Sequence, residues 1–383
     1  MNITKTIFLL FFLISFSKIQ HSFWFNVAPL KKILACHPEI QYIHCFDETF
    51  FEYKPFPLSI DQSYHPHIGA INPTYILKIP NGIVQSKYGE VLIDNTYIEE
   101  MIWKENWGTI KDIKKHDTNK VIKIPGRVAV ITQFAFYNYF HWLTEILARL
   151  ALLELQGIEY DWLYVPQDSK YMKTSLELWG IDNQKIISPC NDSVIMADEI
   201  ILPSLTANLS FKNALFAAYT HPELLKYVRN KLLSSAIKKY SHITFPSKIF
   251  ISRKDAPIRK IINEDEIFNE LKPYGFVRYE LSKLSVQEQI ILFHNAELIV
   301  SPQGTSTANI IFCDQTTKII ELFQGLNDCT FWYISQFLNL NYTPLATTDF
   351  FTDYYQAWTS DTYMPLSTIE KIVSCLGIYH ESI

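Results

Sequence analysis

The feature that most limits the fold of this chain is the regular alternation of strand-like and helix-like segments that begins near residue 128. Short runs rich in Val, Ile and Leu alternate with longer stretches in which apolar residues recur every three or four positions. Strands joined by helices pair in parallel, and a parallel sheet needs helices on both faces. The sequence therefore predicts an α/β protein built from Rossmann-like units.

Two series of these segments follow one another, whereas residues 22–125 show only short mixed strands and loops. For the first series the pattern predicts helices at 137–156 and 221–236, and strands at 128–132, 162–166, 185–188 and 199–203. For the second it predicts strands at 248–252, 276–279, 298–301 and 318–323, and helices at 264–272, 286–295, 307–312, 330–338 and 366–375.

A length of 383 residues favours about two domains. We assign residues 1–21 to a hydrophobic signal-like or anchor segment, 22–210 to an N-terminal α/β domain, and 211–383 to a C-terminal Rossmann-like domain that ends in a helix. Open α/β sheets bind ligands beyond the carboxyl ends of their strands. The cleft between the two domains is therefore the expected site.

Residues 7–16 form an apolar run behind Lys5. The run is shorter than the roughly 20 residues of a membrane-spanning helix and matches the core of a signal peptide in length. A signal peptide or short anchor, a helix that touches a membrane, and a helix of the core all stay open.

Composition and missing motifs exclude several classes of protein. The net charge of −5 argues against a nucleic-acid binder, and a hydrophobic content of 48% argues against disorder. The glycine fingerprints of dinucleotide and P-loop sites are absent, as are a GxSxG elbow and an HExxH helix. No Asp-x-Asp occurs, so no metal site and no cofactor are predicted.

Asn138, His141, Glu145 and Arg149 fall on one stripe of an otherwise apolar helix at about 100° per residue. Polar groups on a buried helix need partners or a ligand. An internal network is one interpretation, because Glu145 is spaced to pair with both His141 and Arg149. The other is the wall of a catalytic cleft, in which His141 or Glu145 takes a proton.

Arg253 ends a predicted strand and Arg259 follows six residues later, before a helix that opens at Asn263. Arginines at a strand end beside a helix N-terminus form an anion site that suits a diphosphate. The alternative is a pair of surface salt bridges with the acidic residues 264–266. Asn263 and Glu266 have the spacing of a capping box.

A strand, a tight loop and a helix follow at 298–312. Gly304 allows close approach of the backbone, and the neighbouring Thr305 and Ser306 supply N–H and hydroxyl groups for a phosphate. Simple helix capping is the alternative. Glu321 lies in the middle of the next apolar strand, where its charge needs a partner, either a ribose or one of the two arginines.

Together these segments resemble glycosyltransferase family 61, whose relatives include enzymes of capsular polysaccharide synthesis and N-acetylglucosaminyltransferases that act on EGF domains and O-mannose. The resemblance covers about residues 125–345 and rests on motifs in order at 138–145, 251–266, 301–312, 319–323 and 331–337. One departure is Gln303-Gly304-Thr305-Ser306, where the family often reads His-Gly-Ala-Gly.

The resemblance implies a GT-B fold and an inverting, metal-independent transfer from a UDP-sugar to a glycan or protein. Residues 22–210 would then serve the acceptor and 211–383 the nucleotide sugar. It implies His141 or Glu145 as the base and a donor site formed by Arg253, Arg259, Asn263, Gln303, Gly304, Thr305, Ser306, Asn309 and Glu321, with Asn138 and Arg149 in support.

The departure at Gln303 motivates an alternative, a catalytically degenerate protein that binds nucleotide sugars during polysaccharide assembly. The expected location of the protein is the compartment that contains the nucleotide-sugar donor. It would be cytoplasmic or membrane-associated in a bacterium, with residues 7–16 as the membrane contact, and the lumen of the secretory pathway in a eukaryote.

Overall fold

The computed structural model describes residues 26–52, 54, 56–58, 68–102, 121–207, 220–240, 242–325, 330–351 and 359–377. The hydrophobic segment assigned to 1–21 lies outside these ranges. Within them, no helix combines the length and the apolar character that crossing a membrane requires.

The chain is a mixed α/β protein, as the sequence predicts. In chain order, the strands of the first half are β1 Asn26–Ala28, β2 Gln41–Phe46, β3 Thr49–Glu52, β4 Ile68–Ile71, β5 Thr74–Pro80, β6 Ile83–Gln85, β7 Glu90–Ile93, β8 Thr96–Ile98, β9 Ile122–Val130, β10 Trp162–Tyr164, β11 Ile186–Ile187 and β12 Val194–Pro203. Those of the second half are β13 Lys248–Ser252, β14 Val277–Glu280, β15 Leu298–Pro302, β16 Lys318–Gly325 and β17 Asn341–Phe351.

The first sheet has the strand order β1-β8-β7-β6-β12-β9-β10-β11, and β5 pairs with both β12 and β2. The part from β12 to β11 is parallel, as predicted. Except for β3 and β4, which pair with each other in a separate two-stranded sheet, the strands before residue 100 extend this sheet, since β5 and β6 run antiparallel to β12. Such short strands carry little local pattern, and their pairing partners lie far away in the sequence.

The second sheet has the order β14-β13-β15-β16-β17, and every pair in it is parallel. Strand β17 was not predicted. In chain order this arrangement is 2-1-3-4-5, so the direction of winding reverses between β13 and β15. Ligands of doubly wound sheets bind at this switch point, beyond the carboxyl ends of the strands.

The helices Leu30–Cys36 and Lys170–Trp179 were not predicted, whereas the others follow the predicted positions closely, with two differences in type. They are α1 Leu30–Cys36, α2 Tyr139–His141, α3 Leu147–Leu155, α4 Lys170–Trp179, α5 Pro222–Tyr240, α6 Glu264–Leu271, α7 Val286–His294, α8 Thr330–Leu338 and α9 Ser367–Leu376. A π-helical turn, Trp142–Ile146, joins α2 to α3, and Thr305–Phe312 is a 3₁₀ helix rather than an α-helix.

The two halves share one hydrophobic core. Helix α5 contacts α3 and α4 on one side and α7 and the 3₁₀ helix Thr305–Phe312 on the other. Leu224, Val228 and Leu232 are fully buried along its length and belong to the same apolar cluster as residues of both sheets. The carboxyl ends of β13 and β15 are thereby held against the helix that follows β9.

Glu90 gives the first half a pH-dependent stability. Burial raises the pKa of this carboxyl to about 7, despite a hydrogen bond from Ser86 Oγ. Between about pH 4.5 and 7 the folded protein therefore binds more protons than the unfolded chain, so the free energy of unfolding falls as pH rises. We expect a loss of up to about 3 kcal/mol.

Denaturant unfolding at several pH values, with Glu90→Gln as the comparison, measures this effect. The glutamine variant should lose most of the slope between pH 4.5 and 7. An identical slope in both proteins would contradict the assignment.

Candidate active site

The helix that carries the polar stripe is interrupted by its π-helical turn. The chain is α-helical over Tyr139–His141, π-helical over Trp142–Ile146 and α-helical again over Leu147–Leu155. A π turn holds more residues than an α turn, so it rotates the residues that follow around the helix axis, and such turns often occur at functional sites. The stripe predicted from α-helical spacing is therefore divided here.

His141, Glu145 and Gln133 form a hydrogen-bonded chain at this turn. His141 Nδ1 donates to Glu145 Oε1 at 2.6 Å, and Gln133 Nε2 donates to Glu145 Oε2 at 2.5 Å. Glu145 is fully buried, whereas the side chain of His141 is 16% exposed. Both carboxylate oxygens are thus used inside the protein. The imidazole, with Nδ1 beside a carboxylate, is arranged to take a proton at Nε2.

Asn138 and Arg149, at the two ends of the stripe, do not belong to the hydrogen-bonded chain of His141, Glu145 and Gln133. Asn138 caps α2, since its Oδ1 accepts from Phe140 N at 2.9 Å. Burial lowers the pKa of Arg149 to about 9. The pairing of Glu145 with Arg149 is not seen, because the rotation at the π turn directs Arg149 to the ends of β9 and β12. There it donates at 2.6–3.2 Å to the carbonyl oxygens of Ile131, Thr132 and Pro203.

Arg253 and Gly304 meet at the switch point of the second sheet. Arg253 directly follows β13, and Gly304 lies in the turn after β15. A Cβ atom on Gly304 would lie 1.7 Å from Arg253 Nη1 and 2.7 Å from its Cζ. Only glycine leaves room for the guanidinium at this place, which gives the Gly304 of the sequence motif its physical reason.

The guanidinium of Arg253 is held by carbonyl groups. Its Nε donates to Arg259 O and its Nη2 to Ile258 O, each at 3.0 Å, and the residue is 7% exposed. No ion pair joins this side chain to a carboxylate within the described ranges. Burial, and next the positive charge of Arg259, lower the pKa of Arg253 to about 10. A buried cation beside a second cation favours an anionic ligand.

Two of the acidic residues that sequence analysis offered as partners of the arginines, Glu264 and Asp265, bind other groups. Glu264 accepts from Ser252 Oγ at 2.6 Å and from the backbone N–H of Arg253 at 3.0 Å. Asp265 accepts from Lys254 Nζ and Arg278 Nη1, both at 2.6 Å. The interpretation of Arg253 as a partner in a surface salt bridge is therefore wrong.

Asn263 does not cap the helix that follows it. Its Nδ2 donates to Met364 O at 2.6 Å, and its Oδ1 accepts from Met364 N at 3.0 Å. The capping box with Glu266 does not form, because the amide is held by the C-terminal segment and makes only a 3.5 Å contact, through Nδ2, with Glu266 Oε2. Arg259 has φ 58°, in the left-handed region that a residue with a side chain rarely adopts. Backbone strain of this kind clusters at functional sites.

The turn after β15 is fixed by its backbone. Gln303 N donates to Leu322 O at 3.2 Å, and Thr307 N donates to Gly304 O at 2.9 Å. Gln303 is buried, whereas Thr305 and Ser306 are half-buried. Because the first N–H groups of a helix have no partner inside it, those of Thr305 and Ser306 suit an anion that approaches this turn.

Asn309 joins the two parts of the site. Its Oδ1 accepts from Tyr139 Oη at 2.7 Å, and its Nδ2 donates to Gln289 Oε1 at 3.0 Å and to Ser306 O at 3.1 Å. Asn309 is fully buried, so it positions the turn rather than contacting a ligand. Through this contact, α2 with His141 packs against the 3₁₀ helix that begins behind Gly304.

Glu321 is 1% exposed and accepts a hydrogen bond from Tyr342 Oη on the neighbouring strand β17. Neither a ribose nor an arginine is needed to explain this interaction. The structure thus brings Arg253 and Gly304 into contact, and Tyr139 and Asn309 hold the helix of His141 beside them. Asn138, Arg149, Asn263, Asn309 and Glu321 serve as internal links.

Sequence reasoning missed Gln133, Tyr139 and Tyr342. Tyr139 stands within the motif that contains His141 and could have been found there. Gln133 lies in the loop between β9 and α2, and Tyr342 lies on a strand that was not predicted. Within the described residues, no group of three or more His, Cys, Asp or Glu side chains could hold a metal ion.

Comparison with known proteins gives one match to a family. Residues 139–320 match the family described as Glycosyltransferase 61, and no curated protein matches the chain. The matched segment holds the His141–Glu145 pair, both arginines and the Gly304 turn. The match confirms, over residues 139–320, the resemblance to glycosyltransferase family 61 that was seen in the sequence, and it supports glycosyltransferase activity.

Proposed function

We propose that this protein is a glycosyltransferase that moves a sugar from a UDP-sugar to a hydroxyl group of a glycan or protein acceptor, with inversion and without a metal ion. The observation that carries the proposal is the contact of Arg253 with Gly304 at the switch point of the second sheet. A buried guanidinium that has carbonyl partners, and no carboxylate partner in the described part of the chain, is suited to a diphosphate.

The donor would bind with its diphosphate beside Arg253 Nη1, above the carboxyl ends of β13 and β15. The N–H groups of Thr305 and Ser306, at the start of the 3₁₀ helix, would donate to the same anion. Arg259 adds a second positive charge. Two cations in a partly desolvated site offset the charge of the departing diphosphate, which is the role that a divalent ion has in metal-dependent transferases.

The acceptor would bind on the side of His141. In the transfer step, His141 Nε2 takes the proton of the acceptor hydroxyl, and the acceptor oxygen forms its bond to the anomeric carbon. The bond from that carbon to the β-phosphate oxygen breaks on the opposite face, and UDP leaves with the electron pair. A single displacement of this kind inverts the anomeric centre. Glu145 keeps the proton of the imidazole on Nδ1.

The arrangement proposed for this reaction is of the GT-B type, in which residues 22–210 serve the acceptor and 211–383 the nucleotide sugar. Helix α5, which contacts helices of both halves, would connect the two parts. In a bacterium, where nucleotide sugars are made in the cytoplasm, we propose a cytoplasmic or membrane-associated enzyme of polysaccharide or capsule synthesis. In a eukaryote we propose the lumen of the secretory pathway.

Calorimetric titration with UDP in the presence of EDTA tests the donor site. The wild-type protein should bind UDP, and Arg253→Ala should bind it about 10- to 100-fold more weakly, because charge-assisted hydrogen bonds are lost. Lys283→Ala is the control, since Lys283 is exposed and pairs with Glu280 in the same unit, and this variant should bind UDP within about two-fold of wild type. Equal binding by a folded Arg253→Ala protein would remove the diphosphate role.

Gln303 favours the second candidate function, a nucleotide-sugar-binding protein without transfer. It stands where the family often has histidine, and it is 3% exposed. Release of UDP from a UDP-sugar in the presence of acceptors separates the two candidates. UDP binding without any release across a broad panel of acceptors would support the second.

A further inference from the structure

A cavity of about 60 Å³ lies in the first half of the chain, beside the helix that carries Glu145 and Arg149. Its walls are formed by the hairpin of β7 and β8, the chain after β8, the loop after β9 and the carboxyl end of β12. The walls are mainly apolar and include Val91, Ile98, Met101, Leu202 and Leu205. Pockets with this character bind small organic groups and use a few polar atoms to orient them.

Most polar side chains in the wall have partners inside the protein. Glu90 accepts from Ser86, and Thr132 Oγ1 donates to Lys87 O at 2.9 Å. Gln133 differs, because its Oε1 is buried and has no hydrogen-bond partner among the described residues. A buried amide oxygen without a partner is unfavourable, so a ligand that donates to it is favoured.

The orientation of the Gln133 amide follows from its other end. Glu145 can only accept hydrogen bonds as a carboxylate, so the NH₂ group of Gln133 has to face it, as the 2.5 Å contact with Oε2 requires. Oε1 is therefore the atom of Gln133 that is left for a ligand in the cavity. A ligand at this position needs an N–H or O–H donor.

The size of the cavity limits the ligand further. A water-sized group needs roughly 10–15 Å³ on this measure, so about four to six non-hydrogen atoms fit. A whole pyranose with its hydroxyl groups is too large. An acetamido group has four non-hydrogen atoms, a methyl for the apolar wall and an N–H for Gln133 Oε1.

The charged residues in the wall favour a neutral acetamido group over an anionic group. Arg149 also lines the cavity, but its guanidinium already donates to three carbonyl groups. One of its N–H groups, on Nη2, is left for a neutral acyl oxygen. The carboxyl of Glu90 in the same wall disfavours a carboxylate or a phosphate.

We propose that this cavity binds the acetamido group of an N-acetylated acceptor sugar. The inference rests on the proposed transferase function and adds the class of acceptor. Gln133 contacts the acetamido N–H with one end and Glu145 with the other, and Glu145 holds His141. The acceptor sugar is thereby placed with its hydroxyl next to the base.

The test is a pair of probes that differ only at this group. Methyl N-acetyl-β-D-glucosaminide should bind the wild-type protein at least about ten-fold more tightly than methyl β-D-glucoside, which corresponds to about 1.4 kcal/mol. Equal affinities, or no saturable binding of either probe, would overturn the proposal. This comparison needs no variant, so a folding defect cannot obscure it.

Two variants locate the preference. Val91→Phe fills the cavity and should abolish the preference, whereas Val277→Phe, on the half-exposed edge strand of the other sheet, should keep it. Melting curves show whether each protein is folded. If a folded Val91→Phe protein still prefers the acetamido probe, the site lies elsewhere and the proposal fails.

Competition with nucleotides shows whether the acetamido probe occupies the acceptor site or the donor site, and UDP affinity tests the donor site separately. The acetamido probe should bind together with UDP-N-acetylglucosamine. Displacement by that donor, but not by UDP, would overturn the acceptor assignment. UDP affinity measured on the same sample tests the donor site by itself, so UDP binding without a probe preference overturns only the acetamido pocket. Absence of UDP binding overturns the proposed donor.

Discussion

Gly304→Ala lowers kcat/KM by about 100-fold or more and weakens UDP binding strongly, while the protein stays folded. The backbone conformation is not the cause, since φ of Gly304 is 176°, an extended value open to any residue. The cause is the 1.7 Å distance between the new Cβ and Arg253 Nη1. The guanidinium has to leave its two carbonyl partners, and the charge that stabilises the leaving diphosphate moves away.

Calorimetry with UDP and steady-state kinetics measure this effect. Gly157→Ala is a suitable control, because Gly157 has open space around it but a φ of 61°, so alanine costs about 1 kcal/mol of stability there. It should reduce the melting temperature without changing UDP affinity. A loss of affinity in both variants would point to general destabilisation instead.

A double variant tests whether Gly304 affects UDP binding through its contact with Arg253. If Gly304→Ala acts only by displacing the guanidinium, then Gly304→Ala combined with Arg253→Ala should bind UDP as weakly as Arg253→Ala alone. Residues in direct contact show this lack of additivity, whereas independent residues add. Additive losses would mean that Gly304 contributes through the backbone of the turn, and the contact with Arg253 would lose its role.

Sequence reasoning succeeded where local pattern and burial agree. Most of the parallel strands from β9 to β16 are buried runs of branched residues, and the helices between them, except the unpredicted α4, have a clear apolar period, so their positions were predicted closely. Strand β17 carries Pro344 and three threonines, which weaken such a pattern, and the short strands before residue 100 depend on partners far away in the chain. Pairing over long distances leaves little local signal.

For the site, sequence reasoning found residues but not their contacts. Arg253 and Gly304 are 51 residues apart in the sequence, and only the parallel order of β13 and β15 explains why they touch. The π turn at Trp142–Ile146 separated Glu145 from Arg149, although regular helical spacing places them together. Gln133 could not be found, because its role depends on the loop that returns it to Glu145.

Glu145→Gln should lower kcat by about 10²- to 10⁴-fold while UDP affinity stays within about two-fold of wild type. The substitution keeps the shape of the side chain. However, while Gln133 keeps its NH₂ group toward this position, as a ligand donor bound to its Oε1 requires, the new amide turns its oxygen to Gln133 and its NH₂ group to His141. Nδ1 of His141 then accepts instead of donating, the proton resides on Nε2, and the imidazole cannot act as the base.

Glu154→Gln is the matched control on α3. Glu154 pairs with Tyr227, Lys231 and Trp179, and it should affect stability but not kcat. His141→Ala should lose activity to a similar extent as Glu145→Gln and regain part of it when imidazole is added. Loss of activity in Glu145→Gln together with nearly normal kcat in His141→Ala would assign the base to Glu145.

Gln133 orients the amide of Glu145→Gln, so combining Glu145→Gln with Gln133→Leu tests whether His141 is the base. Gln133→Leu by itself removes one hydrogen bond to Glu145 and should lower kcat moderately, since the carboxylate still holds His141. In the double variant, leucine no longer requires an oxygen from its neighbour, so the amide is free to turn its carbonyl to His141 Nδ1 and restore the active tautomer. The double variant should therefore be more active than Glu145→Gln alone. If the two losses simply multiply, Gln133 does not position the carboxylate, and the tautomer of His141 is set in another way.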